Sequence, residues 1–261
     1  MNINKIAEII NKKGYKVEVQ EITKGSITKM GLTIGTGSVR PTIYPDQFTA
    51  DDFTDEQIAD KVIEIYEHNK TPEFDIEQIT SADYIKNNLI VSVRRPIEDE
   101  AFTKSYLDIQ LVLRVRIDDN ASFKVTKEMA EQFGIIESAF DEAIRNMKFN
   151  FRPMGSIIED MTDEEIPDVG MYVISDDSVI FGAAAMYDKY FLKSMADLLN
   201  SDLVIIPSST HEIIVIKYDE TTNIDQLNEM VKAINFTEVS PEEQLSDHVY
   251  IFTKENSTIS F

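Results

Sequence analysis

The 261-residue chain contains no cysteine. That excludes a disulfide framework, thiolate metal sites and a cysteine nucleophile. Histidine is scarce: His68, His211 and His248 are far apart, and no His-Glu-x-x-His pair or comparable ligand spacing occurs. No metal is therefore expected. Positive charge is also in short supply, with 25 Lys and Arg against 47 Asp and Glu and a net charge of −22. Binding to a phosphate backbone or an anionic membrane surface needs a basic footprint, so neither nucleic acid nor membrane is an expected direct partner. No stretch approaches the roughly 18 continuous apolar residues of a membrane span. The first ten residues are amphipathic and carry Glu8, which is unlike the unbroken apolar core of a signal peptide. A cytoplasmic location is the resulting expectation.

What is present is ample core material, 43% apolar residues, arranged in readable periods. Ile3, Ile6, Ile9 and Ile10 recur at helical spacing, with Gly14 as a stop, predicting a helix over 2–13. Alternation then predicts strands near 15–19, 27–34 and 39–44. Thr54 is placed to cap a helix that buries Ile58, Val62, Ile65 and Tyr66. A helix over 76–86 and a strand over 89–93 follow. Residues 107–117 form the clearest alternating run, with Leu107, Ile109, Leu111, Leu113, Val115 and Ile117 on one face. Thr126 caps a short helix, and a longer one is expected over 136–147. Pro153, Gly155 and acids from Glu159 to Glu165 suggest an acidic connector over 151–169. After it, 171–174 and 179–185 read as a hairpin across Asp176 and Asp177. A helix (187–199), two strands (203–206 and 213–216), a further helix (224–234) and a closing strand (249–252) complete the pattern. The fold class is α+β, with mostly antiparallel sheets, helices packed on one side and a C-terminal ββαββα(β) run. The expected division is 1–150, the connector at 151–169, and 170–261, with one continuous domain as the alternative.

Several segments resemble one family. They are Gly31-Leu32-Thr33-Ile34 with Pro41-Thr42-Ile43-Tyr44, Tyr106-Leu107-Asp108-Ile109, Gly182-Ala183-Ala184-Ala185-Met186-Tyr187, the run from Leu203 to Glu212, and Leu245-Ser246-Asp247-His248-Val249-Tyr250. In order and extent they are similar to the bacterial family catalogued as domain of unknown function 5688. The resemblance implies a bacterial cytoplasmic protein, with relatives in anaerobic gut bacteria often encoded near mobile elements. It supplies no activity. The acidic stretch from Asp51 to Asp60 departs from many members.

One constellation could carry chemistry. Pro207-Ser208-Ser209-Thr210-His211-Glu212 lies between two expected strands, so Ser208 or Ser209 is a candidate nucleophile with His211 as base and Glu212 as its orienter. Against this, neighbours in an extended chain point to opposite faces, and no Gly-x-Ser-x-Gly elbow is present. The alternative is a connection whose hydroxyls satisfy turn backbone groups. Gly182, Ala183 and Ala184 would admit a ligand or another backbone at close range; tight packing under a helix explains them equally well. If the two blocks are neighbours they flank one cleft. Gly35 and Gly37 do not form a dinucleotide motif, because a strand with Pro41 follows where a helix is needed. No cofactor signature is found and none is expected.

The leading expectation is a non-enzymatic acidic protein acting through protein contacts, with a basic partner favoured by charge and Asp51, Asp52, Asp55 and Asp60 as a candidate partner surface. Three alternatives stand beside it: a nucleic-acid mimic that occupies a DNA- or RNA-binding protein, a hydrolase using Ser208 or Ser209 with His211, and a small-molecule sensor lined by the Gly182 segment.

Overall fold

A computed structural model describes the chain except residues 1, 25–26, 37–39, 49–52, 69–74, 119–120, 163–166 and 168. The chain forms two compact units, Met1–Ser81 and Ala82–Phe261.

In the first unit, α1 (Ile3–Lys12) starts at Asn2, whose side chain accepts from the Lys5 N–H, and buries Ile6, Ala7 and Ile10. The antiparallel hairpin β1 (Val17–Lys24) and β2 (Ile27–Ile34) pairs Val17 with Ile34, and the short β3 (Thr42–Ile43) adds to β2. In α2 (Asp55–His68), Thr54 and Gln57 cap reciprocally: the Gln57 N–H donates to Thr54 Oγ1 and the Thr54 N–H to Gln57 Oε1. Ile58, Ala59 and Val62 face the α1 residues in one core with Leu32 and Ile34. A single helical turn, α3 (Ile76–Ile79), lies near the unit's end.

The second unit holds two antiparallel sheets. After α4 (Ala82–Asn87), β4 (Leu89–Arg94), β5 (Thr103–Tyr106), β6 (Ile109–Arg116) and β7 (Ser122–Lys124) form one sheet, with β6 paired to all three others. Two helices follow. In α5 (Lys127–Phe133) the cap expected at Thr126 forms, and Gly134 closes the helix at φ 63°. Next comes α6 (Ala139–Arg145). Six strands make the second sheet in the order β13-β12-β10-β11-β9-β8. They are β8 (Phe149–Pro153), β9 (Met171–Asp176), β10 (Asp202–Ile206), β11 (Ile213–Tyr218), β12 (Tyr250–Thr253) and β13 (Thr258–Ser260). Between them run α7 (Met154–Thr162), α8 (Lys189–Leu199) and α9 (Ile224–Thr237).

The mixed α+β class with antiparallel sheets is the one the sequence implies, but several parts differ. Residues 149–162, expected largely as connector, form strand β8 and helix α7, and β8 pairs with β9 inside the six-stranded sheet. One hydrophobic core joins Val91 and Leu113 to Ile174, Leu203 and Phe252, so it crosses the expected boundary at 151–169. The compact division falls after Ser81 instead. Helices cover both faces of the six-stranded sheet. Leu203 and Ile205 belong to the large core that also holds Leu192 and Met195 of α8, while the alternate residues Val204 and Ile206 pack with Val231 of α9. The run expected over 107–117 begins with a tight turn at Leu107 and Asp108, so Leu107 leaves the inward face and is part-exposed.

Gly182 to Ala185, expected as the end of a strand, and Met186 and Tyr187 after them differ most from expectation. These residues form a 3-10 helix. Asp176 redirects the chain into it, because its buried carboxylate accepts from the N–H groups of Ile180 and Phe181 at 3.0 and 2.9 Å. The turn would place two short strands side by side, but β9 already has β8 and β11 as neighbours and no free edge. The 3-10 segment instead packs against β4, β9, β11, α6 and α8.

Candidate functional site

The connection from β10 to β11 carries the expected Ser-Ser-Thr-His-Glu residues. Its backbone is closed by Ser209 N–H donating to the Glu212 carbonyl at 3.2 Å. The Ser209 hydroxyl accepts from the His211 N–H at 3.1 Å, and Ser208 Oγ donates to Glu212 Oε1 at 3.2 Å. The imidazole of His211 reaches neither hydroxyl. Its Nδ1 lies 2.8 Å from the Ile180 carbonyl and its Nε2 lies 3.3 Å from Glu243 Oε1. The carboxylate beside His211 is therefore Glu243, and Glu212 serves Ser208. A serine nucleophile is activated by a base within hydrogen-bond reach of its hydroxyl; here each hydroxyl and each ring nitrogen is engaged elsewhere.

The two blocks proposed to share a cleft do meet. Gly182 N–H donates to the His211 carbonyl at 2.9 Å, and Thr210 N–H donates to the Glu243 carbonyl at 2.9 Å. The contact is packing rather than a cleft, however. Ala183 and Ala184 are fully buried in the core, and the space a Cβ of Gly182 would take is filled by backbone of His211, Ser175 and Asp176. The small side chains are explained by this close approach.

Of the acidic candidates, Asp51 and Asp52 lie outside the described residues. Asp55 accepts from the Asn2 N–H and pairs with Lys5 at 3.2 Å; Asp60 pairs with Lys13 at 2.5 Å. Both tie α2 to α1 and its ends. Hydrogen bonds from Asn2 and then Lys5 hold the Asp55 carboxyl below its ordinary range.

A polar network that sequence reasoning missed joins two of the family-like blocks. The turn between β5 and β6 presents Asp108, and the segment leading into β12 presents Ser246, His248 and Tyr250. Tyr250 donates to Asp108 Oδ1 at 2.5 Å, Ser246 donates to Oδ2 at 3.0 Å, and His248 Nε2 lies 2.9 Å from Oδ2. The Ser246 and Tyr250 hydroxyls also contact each other. Phe261 stacks on the His248 ring, with centroids 4.6 Å apart, and meets Tyr250 edge-on. Burial pushes the Asp108 carboxyl up, but the bonds from Tyr250, His248 and Ser246 together outweigh it and hold the group below its ordinary range. Burial, then Asp108, push the Tyr250 hydroxyl well up. Next to Asp108, Leu107 has φ 53°, a left-handed conformation that costs a branched side chain about 1–2 kcal/mol. Asp108, the next residue, ties this turn to the segment leading into β12. The flank is braced further: Arg95 pairs with Asp247 at 2.7 Å and donates to the Leu245 carbonyl, while Asn235 of α9 donates to the Ser246 carbonyl and to Asp247. The signal available in sequence was the presence of both blocks. Their contact spans 142 positions from Asp108 to Tyr250, and no local pattern reports it.

No group of His, Asp and Glu among the described residues is arranged to hold a metal ion. Among the same residues, no helix is long and apolar enough to cross a membrane. Comparison with protein families matches residues 2–254 to a family of unknown function, DUF5688. No match was found among curated proteins or among solved structures.

Proposed function

The chain belongs to the DUF5688 family, and we propose that it works by binding a basic protein partner on the outer side of α9. The observation that carries this reading is an exposed apolar band on a folded helix. Phe236 is 91% exposed, and Met230 and Ile234 are also exposed. Met230, Ala233 and Phe236 follow one another at i, i+3 spacing and form a continuous stripe on the helix surface, with Ile234 beside Met230 at i, i+4 on its other flank. Covering one such large side chain is worth about 1.5–3 kcal/mol, and contiguous exposed apolar surface is characteristic of interaction sites.

Charge favours a particular kind of partner. Residues 82–261 carry 16 of the 25 basic and 33 of the 47 acidic side chains, a net −17. Asp225, Glu229 and Glu238 lie on or beside the same helix, and of these Glu229 is engaged by Lys232 at 2.8 Å. A basic segment with apolar side chains would match both features. The acidic surface accelerates encounter and the apolar band retains the partner. The same charge argues against direct contact with nucleic acid or anionic membranes.

The test is affinity capture of the tagged protein from a lysate of its own host, at low and high salt, read by mass spectrometry. A stoichiometric basic partner, bound at low salt and released at high salt, is the expected result, since salt screens exposed charges beyond a Debye length of about 10 Å at 0.1 M. A nucleic-acid-binding protein as that partner would favour the mimic. Capture of nothing at either salt would defeat the reading.

A further inference from the structure

The sheet of β4, β6 and β7 gathers positive charge on one face of a strongly acidic chain. Gln110, Arg114 and Arg116 alternate onto the same face of β6; Arg94 lies opposite Gln110, and Lys124 lies opposite Arg114. Two of these cations have carboxylates of their own. Arg94 is almost fully buried and holds Asp99 through two bonds of 2.8 Å, with its Nε on Gln110 at 2.8 Å. Arg116 pairs with the buried Asp176 at 3.2 Å. Asp99 also lies 3.4 Å from Lys124 Nζ, so this one carboxylate serves two cations.

Arg114 differs from both. Its Nε donates to Ser122 Oγ at 3.0 Å and Nη2 donates to the Ser122 carbonyl at 3.3 Å. Its guanidinium carbon lies 5.1 Å from the centre of the Phe181 ring. No carboxylate among the described residues pairs with it, although the chain has 47. The side chain is part-buried, and withdrawing a charge from water without a counter-charge is unfavourable. A guanidinium has five N–H donors, and the two bonds to Ser122 leave three for another acceptor. Burial and the nearby Arg94 bring Arg114 down to about 10. Lys124 is also lowered, by burial first, with Asp99 opposing and Arg94 and Arg114 adding to the effect. Both shifts describe a face that an added anion would relieve.

We propose that Arg114 and Lys124, beside the Phe181 ring, bind the phosphate group of a small molecule, either inorganic phosphate or a phosphorylated metabolite. A fork and a point charge on adjacent strands suit a tetrahedral dianion, which can accept from both at once. Asp99 acts as the internal counter-ion that the ligand competes with at Lys124. The site is separate from the α9 surface and does not depend on the reading given for it.

Calorimetric titration of the whole protein with inorganic phosphate, and separately with a sugar phosphate, tests this at constant ionic strength with chloride as control. Binding of at least one is expected, with Arg114→Gln weakening it about tenfold or more, the loss of a charge-assisted contact. Lys124→Gln is the second variant, placed at a less buried position in case Arg114→Gln does not fold. Binding of both probes would point to the free ion as sufficient, and binding of the sugar phosphate alone to an organic ligand; in either case the variants must lose it. Heat no greater than the chloride control for both probes, or undiminished binding in Lys124→Gln, would overturn the proposal.

Discussion

Replacing Gly182 with alanine is expected to destabilise the protein by about 3 kcal/mol or more, or to abolish soluble expression. The added Cβ would lie 2.4 Å from the His211 carbonyl oxygen, 2.5 Å from Ser175 Cα and 2.9 Å from Asp176 N. All three are backbone atoms, so no side-chain rotation can relieve the contact. Overpacking a closed core costs about 1–3 kcal/mol, and backbone displacement would also lose the Gly182–His211 hydrogen bond, worth about 1 kcal/mol. The position amplifies the effect, because the 3-10 segment touches strands of both sheets and two helices. Urea unfolding of the variant measures it. An unfolding midpoint equal to that of the parent would mean that this segment does not close on β9 and the His211 connection.

Asp108→Ala is expected to be the next most damaging, costing about 2–3 kcal/mol. It removes the acceptor shared by Tyr250, Ser246 and His248 and leaves a buried tyrosine hydroxyl without its carboxylate. The loss is smaller than for a fully buried charge because the Asp108 side chain remains 35% exposed. Tyr250→Phe alone should cost about 1–1.5 kcal/mol. The double variant should cost less than the two together, because they remove the same bond. The pH dependence has a definite sign. The Asp108 carboxyl is held below its unfolded value of about 3.9. Its contribution is present above that value and is lost as pH falls through the folded one. The stability gap between the parent and Asp108→Asn should therefore be fully developed at neutral pH and shrink below about pH 4. A gap that widens in acid would contradict the network.

Much of the architecture is legible in local pattern. Thr54 and Thr126 cap the helices their hydroxyls suggest, and the short apolar runs around Ile205 and Val215 are paired strands, because each signal depends on residues close by in the chain. The failures lie where distant contacts decide. A short run of Gly and Ala has no period to separate strand from 3-10 helix, and it became the latter because Asp176 captures two N–H groups and both edges of β9 are taken. Acids and Pro153 made 151–169 resemble a connector, yet an edge strand tolerates proline and outward charge, and β8 is such an edge. The candidate site divides the same way. His211 was visible, but its carboxylate lies 32 positions away at Glu243 rather than next door at Glu212. Arg114 stands on the polar face of β6, and only the fold reveals that no carboxylate among the described residues pairs with it while Arg94 and Lys124 share Asp99.

Two places compete to explain what the protein does, the His211 connection and the outer side of α9. One measurement separates them: partner capture from host lysate at low salt by the parent, His211→Ala and Phe236→Asp proteins, each first checked for an intact unfolding transition. Phe236 is exposed and off the core, so its replacement should leave the transition unchanged. If α9 is the docking surface, Phe236→Asp loses the partner and His211→Ala keeps it. Full capture by Phe236→Asp, with loss confined to a folded His211→Ala, would contradict the account and return the function to the His211 connection.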